Sequence, residues 1–156
     1  MQTPVPVTII AGFLGAGKTT LLNRLLKDAG GVRYGLLIND FAAINIEASL
    51  IQEAGPSRIA LTNGCVCCTL RDDLLVSALE LVRSEPRPEH LLIECSGVSD
   101  PRAVAMALTG ELAGGAFTID AILSLVDAAN ALELDYDDTE RVIDQAAASD
   151  LVLLNK

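Results

Sequence analysis

The stretch Gly12-Phe13-Leu14-Gly15-Ala16-Gly17-Lys18-Thr19-Thr20 carries the residue types a polyphosphate requires, spaced as G-x-x-x-x-G-K-[ST]. Gly12, Gly15 and Gly17 let the backbone turn tightly with its N–H groups inward, an anion nest at a helix N-terminus. Lys18 supplies a point charge for the β- and γ-phosphates, and the Thr19 hydroxyl is a ligand for Mg²⁺. The apolar run Val7-Thr8-Ile9-Ile10 leads in, and a helical pattern of Leu21, Leu22, Leu25 and Leu26 leads out. The competing reading is a glycine-rich turn that binds nothing, and the flanking strand and helix favour a nucleoside triphosphate. Phosphate contacts are therefore assigned to Gly12, Gly15, Ala16, Gly17, Lys18, Thr19 and Thr20.

Ligands of open α/β sheets gather at the carboxyl ends of the strands, and further polar clusters fall at such ends. Glu94 closes the run Leu91-Leu92-Ile93, where a carboxylate holds Mg²⁺ through water or orients the attacking water. Gly97, three residues on, lets a backbone N–H approach the γ-phosphate. Asn39-Asp40-Phe41 follows a second strand; Asp40 is either a metal ligand or an ordinary turn residue. Cys65, Cys67 and Cys68 form C-x-C-C beside Gly64, a thiolate set suited to Zn²⁺ or another borderline-soft cation. Three sulfurs leave a tetrahedron incomplete, so Asp40, water or a partner's group is needed as the fourth ligand. Cys95 reads as a small buried residue and His90, the single histidine, as a surface residue. Asn155-Lys156 follows the last apolar strand as the first half of N-K-x-D, the element that recognises guanine.

These residues need a scaffold, and the chain alternates apolar strands with amphipathic helices. Strands are expected at 7–11, 35–38, 58–61, 91–94, 121–126 and 151–154, and a helix from Lys18 to about Asp28. Thr69 caps a second helix carrying Leu70, Leu74, Leu75, Ala78, Leu79 and Val82. Asp100-Pro101 opens a third helix to about Leu108, and Asp138 or Thr139 a fourth reaching Ala148. The fold class is α/β: a mostly parallel sheet with helices on both faces, in three layers. At 156 residues this is a single domain, and with 51% apolar but 3% aromatic residues its core is aliphatic. A net charge of −10 argues against nucleic acid or an anionic membrane as partner. No apolar run reaches the roughly 20 residues of a membrane helix, and the N-terminus lacks a signal peptide's charged start. The expected location is the cytoplasm, where cysteines serve as thiols or metal ligands rather than disulfides.

Together the motifs resemble the CobW family of phosphate-loop GTPases, kin to the urease and hydrogenase nickel-insertion GTPases. The resemblance rests on Gly12 to Thr20, Asn39-Asp40-Phe41, Gly64-Cys65-Val66-Cys67-Cys68, Glu94-Cys95-Ser96-Gly97 with Pro101, Val126-Asp127-Ala128, and Gln145 with Asp150 ahead of Asn155-Lys156. It spans essentially the whole chain in the family's order. It implies a GTP-hydrolysing metallochaperone in which GTP and Mg²⁺ order loops while Cys65, Cys67 and Cys68 hold Zn²⁺ or Co²⁺ for a client protein. Thr19 and Glu94 would hold Mg²⁺, and Lys18 and Glu94 would act in catalysis, with Gly97, Asn155 and Lys156 completing the nucleotide site. Val98 stands where a water-positioning glutamine would be useful, so intrinsic turnover is expected to be slow.

Two departures stand out. The family's N-E-F-G is replaced by Asn39-Asp40-Phe41-Ala42, and the chain stops before the base-specificity aspartate. On this comparison the chain is expected to be the N-terminal portion of the GTPase domain, truncated at its C-terminal end and without the family's C-terminal domain. Two other readings are an ATP-dependent phosphate-loop kinase or ATPase with structural cysteines, and a nucleotide-switched regulatory module without catalysis. The sequence leaves the metal, the client and the oligomeric state open.

Overall fold

The computed structural model describes residues 3–38, 60–61 and 70–156. The strands are β1 (Val5–Gly12), β2 (Tyr34–Ile38), β3 (Ala60–Leu61), β4 (His90–Glu94), β5 (Phe117–Asp127) and β6 (Leu151–Asn155). The helices are α1 (Lys18–Lys27), α2 (Leu70–Arg83), α3 (Pro101–Thr109) and α4 (Tyr136–Ala147). All six strands form one sheet in the order β3-β2-β4-β1-β5-β6, and every neighbouring pair is parallel. This is the expected α/β class. Thr69 and the segment 39–59 lie outside the described residues.

Alternation along the strands builds two cores. Val7 and Ile9 of β1 join Leu91 and Ile93 of β4 on one face, against Leu75, Ala78 and Leu81 of α2 and Val104 and Leu108 of α3. Ile10, Leu36, Leu92 and Leu125 point the other way, onto Leu22 and Leu26 of α1. Burying each such leucine contributes about 1.5–3 kcal/mol relative to exposure. The sheet is buried at its centre and bare at one edge. Leu151 and Leu154 of β6 remain 52% and 75% exposed.

The differences from the sequence reading have local causes. β5 starts at Phe117 rather than Ala121, because exposed Thr118 and Asp120 interrupt its apolar pattern. Its register against β1 also slips there, with Val7 opposite Ile119 and Thr8 opposite Ala121. α4 starts at Tyr136, one turn before the expected position, because Asp135 caps it by accepting from the Asp138 N–H at 2.9 Å. Asp138 lies inside the first turn. Asp100, as expected, caps α3 through the Arg102 N–H, with Pro101 at the first helical position.

His90 is not the surface residue the sequence suggested. It is half-buried, with Nε2 2.8 Å from Thr8 Oγ1 and its ring edge-on to Tyr34, centroids 5.6 Å apart. Burial lowers its pKa below 6.5, partly opposed by the charge of Asp120. Folding thus favours neutral His90, a contribution complete above the unfolded pKa and lost as pH falls through the lower folded value. In thermal melts between about pH 8 and about pH 5, the native chain should lose more stability than His90→Gln. Parallel losses in the two proteins would refute this.

Candidate functional site

The phosphate loop leaves the carboxyl end of the central strand β1 and enters α1. Gly17 caps α1 at φ 105°, a left-handed conformation that costs a side-chain-bearing residue. A Cβ there would also lie 2.4 Å from Asn155 Nδ2. That amide donates to the Ala16 carbonyl at 2.9 Å, tying the end of β6 to the loop. The loop turns on an Ala16 N–H to Phe13 carbonyl bond of 3.2 Å. Gly12 and Ala16 are buried, whereas Gly15 and Thr20 face outward.

Lys18 and Glu94 are charged groups inside the protein, only 6% and 2% exposed. The Lys18 ammonium donates to the Phe13 carbonyl at 3.2 Å, within its own loop. A phosphate would offer this ammonium a full negative charge in place of a carbonyl dipole, a gain magnified where water is excluded. Thr19 Oγ1 donates towards Glu94 across 3.3 Å to Oε1 and 3.5 Å to Oε2. Both distances exceed the usual 2.7–2.8 Å for a hydroxyl donor. Two hard oxygens at such a separation suit the coordination sphere of one Mg²⁺, whose metal–oxygen distance is about 2.1 Å. The residues present fit that ion.

Gly97 sits where the loop after β4 crosses the phosphate loop. A Cβ on it would lie 2.8 Å from the Leu14 N and 3.4 Å from the Phe13 carbonyl carbon. The backbones touch because no side chain separates them. The same loop is braced by Ser96 Oγ to Ser99 Oγ at 2.6 Å. Val98 is exposed and offers no hydrogen-bonding side chain. Cys95 is buried as expected, and burial pushes its thiol up to about 12 while Lys18 partly opposes the rise.

Asn155 and Lys156 are exposed at the same edge. Lys156 forms an ion pair with Asp127 at 3.0 Å. Asp127 is held below the usual carboxylate range, first by the Asn130 side chain and then by Lys156. The sequence reading had not foreseen either anchor, the Asn155 bond to Ala16 or the Lys156 pair with Asp127. Asp40, Cys65, Cys67 and Cys68 lie outside the described residues; among the described residues no metal-binding group of three His, Cys, Asp or Glu occurs. β3 ends at Leu61, on the carboxyl edge of the sheet, four residues before Cys65.

A phosphate loop at the carboxyl edge of a parallel sheet, with a buried lysine and a threonine facing a buried carboxylate, defines the phosphate-loop nucleotide-binding class. Within that class, the chain belongs to the CobW/HypB/UreG nucleotide-binding domain family, whose model matches residues 6–156. It is 36% identical to a zinc chaperone CobW of Sinorhizobium sp over 99% of this chain and 51% of that protein. It is 33% identical to the zinc-regulated GTPase metalloprotein activator 1 of Dictyostelium discoideum, over 97% and 40% of the two. The chain thus spans about half the length of the curated relatives it matches. The crystal structure of Zn(II)-bound YjiA GTPase from E. coli superposes with a TM-score of 0.67 at 24% identity, over 99% of this chain and 50% of that one. The hydrogenase maturation factor HypB from Archaeoglobus fulgidus gives 0.59 at 20% identity, over 98% and 66%. Both likenesses carry the fold.

Two outcomes follow from the geometry. Gly97→Ala should lower the unfolding free energy by about 1–3 kcal/mol, read from urea melts, because its methyl meets the Leu14 backbone. An unchanged midpoint would show that the two loops separate at no cost. Cys95 should also resist alkylation near neutral pH until the chain unfolds, as followed by peptide mass spectrometry. Rapid native-state labelling of Cys95 would contradict its burial.

Proposed function

We propose that this chain is the nucleotide-switched domain of a cytoplasmic metallochaperone that binds and hydrolyses GTP and passes Zn²⁺ or Co²⁺ to a client protein. The observation that carries the reading is the meeting of Thr19, next in sequence to the buried Lys18 on the phosphate loop, with Glu94 at the end of β4. The relatives named as zinc chaperones and zinc-regulated GTPases support the metal and the nucleotide.

In this reading the loop N–H groups and Lys18 hold the phosphates, and Thr19 and Glu94 hold Mg²⁺. When bound, that ion neutralises charge developing on the transferred phosphoryl group. Glu94 also orients the attacking water at the end of β4. Gly97 brings its backbone to the γ-phosphate, and Val98 leaves turnover slow. Asn155 and Lys156 favour guanine. Cys65, Cys67 and Cys68 bind the cargo metal with Asp40 as candidate fourth ligand. The surplus of 21 acidic over 11 basic residues supports a protein client over a nucleic acid. Among the described residues no helix is long and apolar enough to cross a membrane.

Nucleotide and metal then form one coupled equilibrium, each tightening the other by the same factor. Zn²⁺ affinity measured by chelator competition with Mg²⁺ and a non-hydrolysable GTP analogue should exceed the nucleotide-free value by at least about tenfold. The ATP analogue should leave it unchanged. A triple Cys65→Ser, Cys67→Ser, Cys68→Ser variant should lose both the binding and the coupling. Equal affinity in all three nucleotide conditions would sink the reading.

A further inference from the structure

One buried polar side chain near the nucleotide site has no part in the mechanism above. Gln145, in the last turns of α4, is 3% exposed. Its Nε2 donates to the carbonyls of Gly97 and Ser99, each at 3.1 Å. Two carbonyl acceptors determine which way the amide lies, since only the NH₂ end can serve both. Its Oε1 is buried without a partner among the described residues. A buried amide left half-satisfied carries a desolvation cost, and what it gains in return is a grip on two backbone carbonyls of one short loop.

That loop is the one whose Gly97 backbone presses on Leu14 of the phosphate loop. Gln145 is also the start of a short strap. Its carbonyl accepts from Ser149 Oγ at 2.7 Å, and Asp150 exchanges two bonds with Ile122, at 2.8 Å each. β6 then runs to Asn155, whose amide holds Ala16 from the other side. Residues 145–155 therefore grip the phosphate loop at both flanks, once through Gly97 and once through Ala16. The two grips are carboxamides on carbonyls, directional contacts that a shift of about 1 Å would break.

We propose that Gln145 is a positioning residue for the terminal phosphate: it holds the Gly97–Ser99 carbonyls so that the loop after β4 is set against the phosphate loop. This rests on the nucleotide-binding reading above. Gln145 touches no phosphate itself. It acts through the Gly97 backbone, so it should govern the distinction between a triphosphate and a diphosphate more than overall nucleotide affinity.

The test is direct titration of the full chain with fluorescent GDP and a fluorescent non-hydrolysable GTP analogue in Mg²⁺, with single-turnover hydrolysis alongside. Gln145→Met keeps the bulk and removes both donated bonds. Gln145→Glu keeps the shape and sets carboxylate oxygens against the two carbonyls. Both variants should weaken analogue binding by about tenfold and GDP binding by less than about threefold. The single-turnover rate at saturating GTP should fall, and the half-saturating GTP concentration should rise by about the same tenfold as for the analogue. In the nucleotide-free chain, amide exchange across residues 96–99 should accelerate in both variants, a readout that needs no ligand. Equal loss for both nucleotides would assign Gln145 to packing alone and overturn the proposal, as would wild-type ratios in folded variants. Failure of the unsubstituted chain to bind either nucleotide would overturn the functional reading and this proposal with it. A wild-type chain that binds normally beside indifferent variants would overturn only the proposal.

Discussion

The site depends on glycines where no side chain fits: Gly12 against the Leu125 backbone, Gly17 and Gly97. At Gly17 a methyl group would strike the Asn155 amide, and at Gly97 one would strike the Leu14 backbone. Together these contacts trap the phosphate loop between the end of β6 and the loop after β4. The Gly97 contact is backbone on backbone and stiff, because no rotamer can relax it, whereas the Gly17 contact is with the Asn155 side chain. The inward N–H groups of a phosphate nest work only if they are held in place beforehand, so the missing side chains are part of the binding chemistry.

The sheet explains why these parts meet. All neighbouring strands are parallel, so each carboxyl end lies on the same edge, and β1 sits centrally between β4 and β5. The loops after β1 and β4 are therefore neighbours, although 75 residues separate Thr19 from Glu94. Alternating side chains send Val7 and Ile9 to one helical layer and Ile10 to the other. That alternation fills both faces with aliphatic groups and leaves the carboxyl edge for polar chemistry.

Charge is handled locally. The chain carries a net −10, yet the phosphate loop holds a buried ammonium, Lys18, close enough to Cys95 to oppose the burial-driven rise of its thiol. A buried cation and backbone dipoles of this kind can attract an anion without a positive surface around them. Further along the same edge, Lys156 pairs with Asp127 at the end of β5 and the Asn130 amide donates a hydrogen bond to it.

Much of this was legible in the amino-acid order, because the phosphate loop is a local device. Its glycines, lysine and threonine lie within nine residues, and the strand before and helix after them show in the spacing of Ile and Leu. The Asp100-Pro101 cap was equally readable, since donor and acceptor are two residues apart. Other features escaped because their cause is distant in sequence. His90 looked like a surface residue until Thr8, 82 positions away, came within 2.8 Å. The long β5 was hidden by outward-facing Thr118 and Asp120, whose place in the sheet is decided by β1. Gln145 carried no visible role, because the carbonyls it holds belong to a loop 46 and 48 residues earlier. The chain's order thus determined the chemistry of the phosphate loop and the class of fold, both written in contacts a few residues long. Only the tertiary structure decided which distant backbones would press on that loop, because those contacts form where a parallel sheet brings its strand ends together.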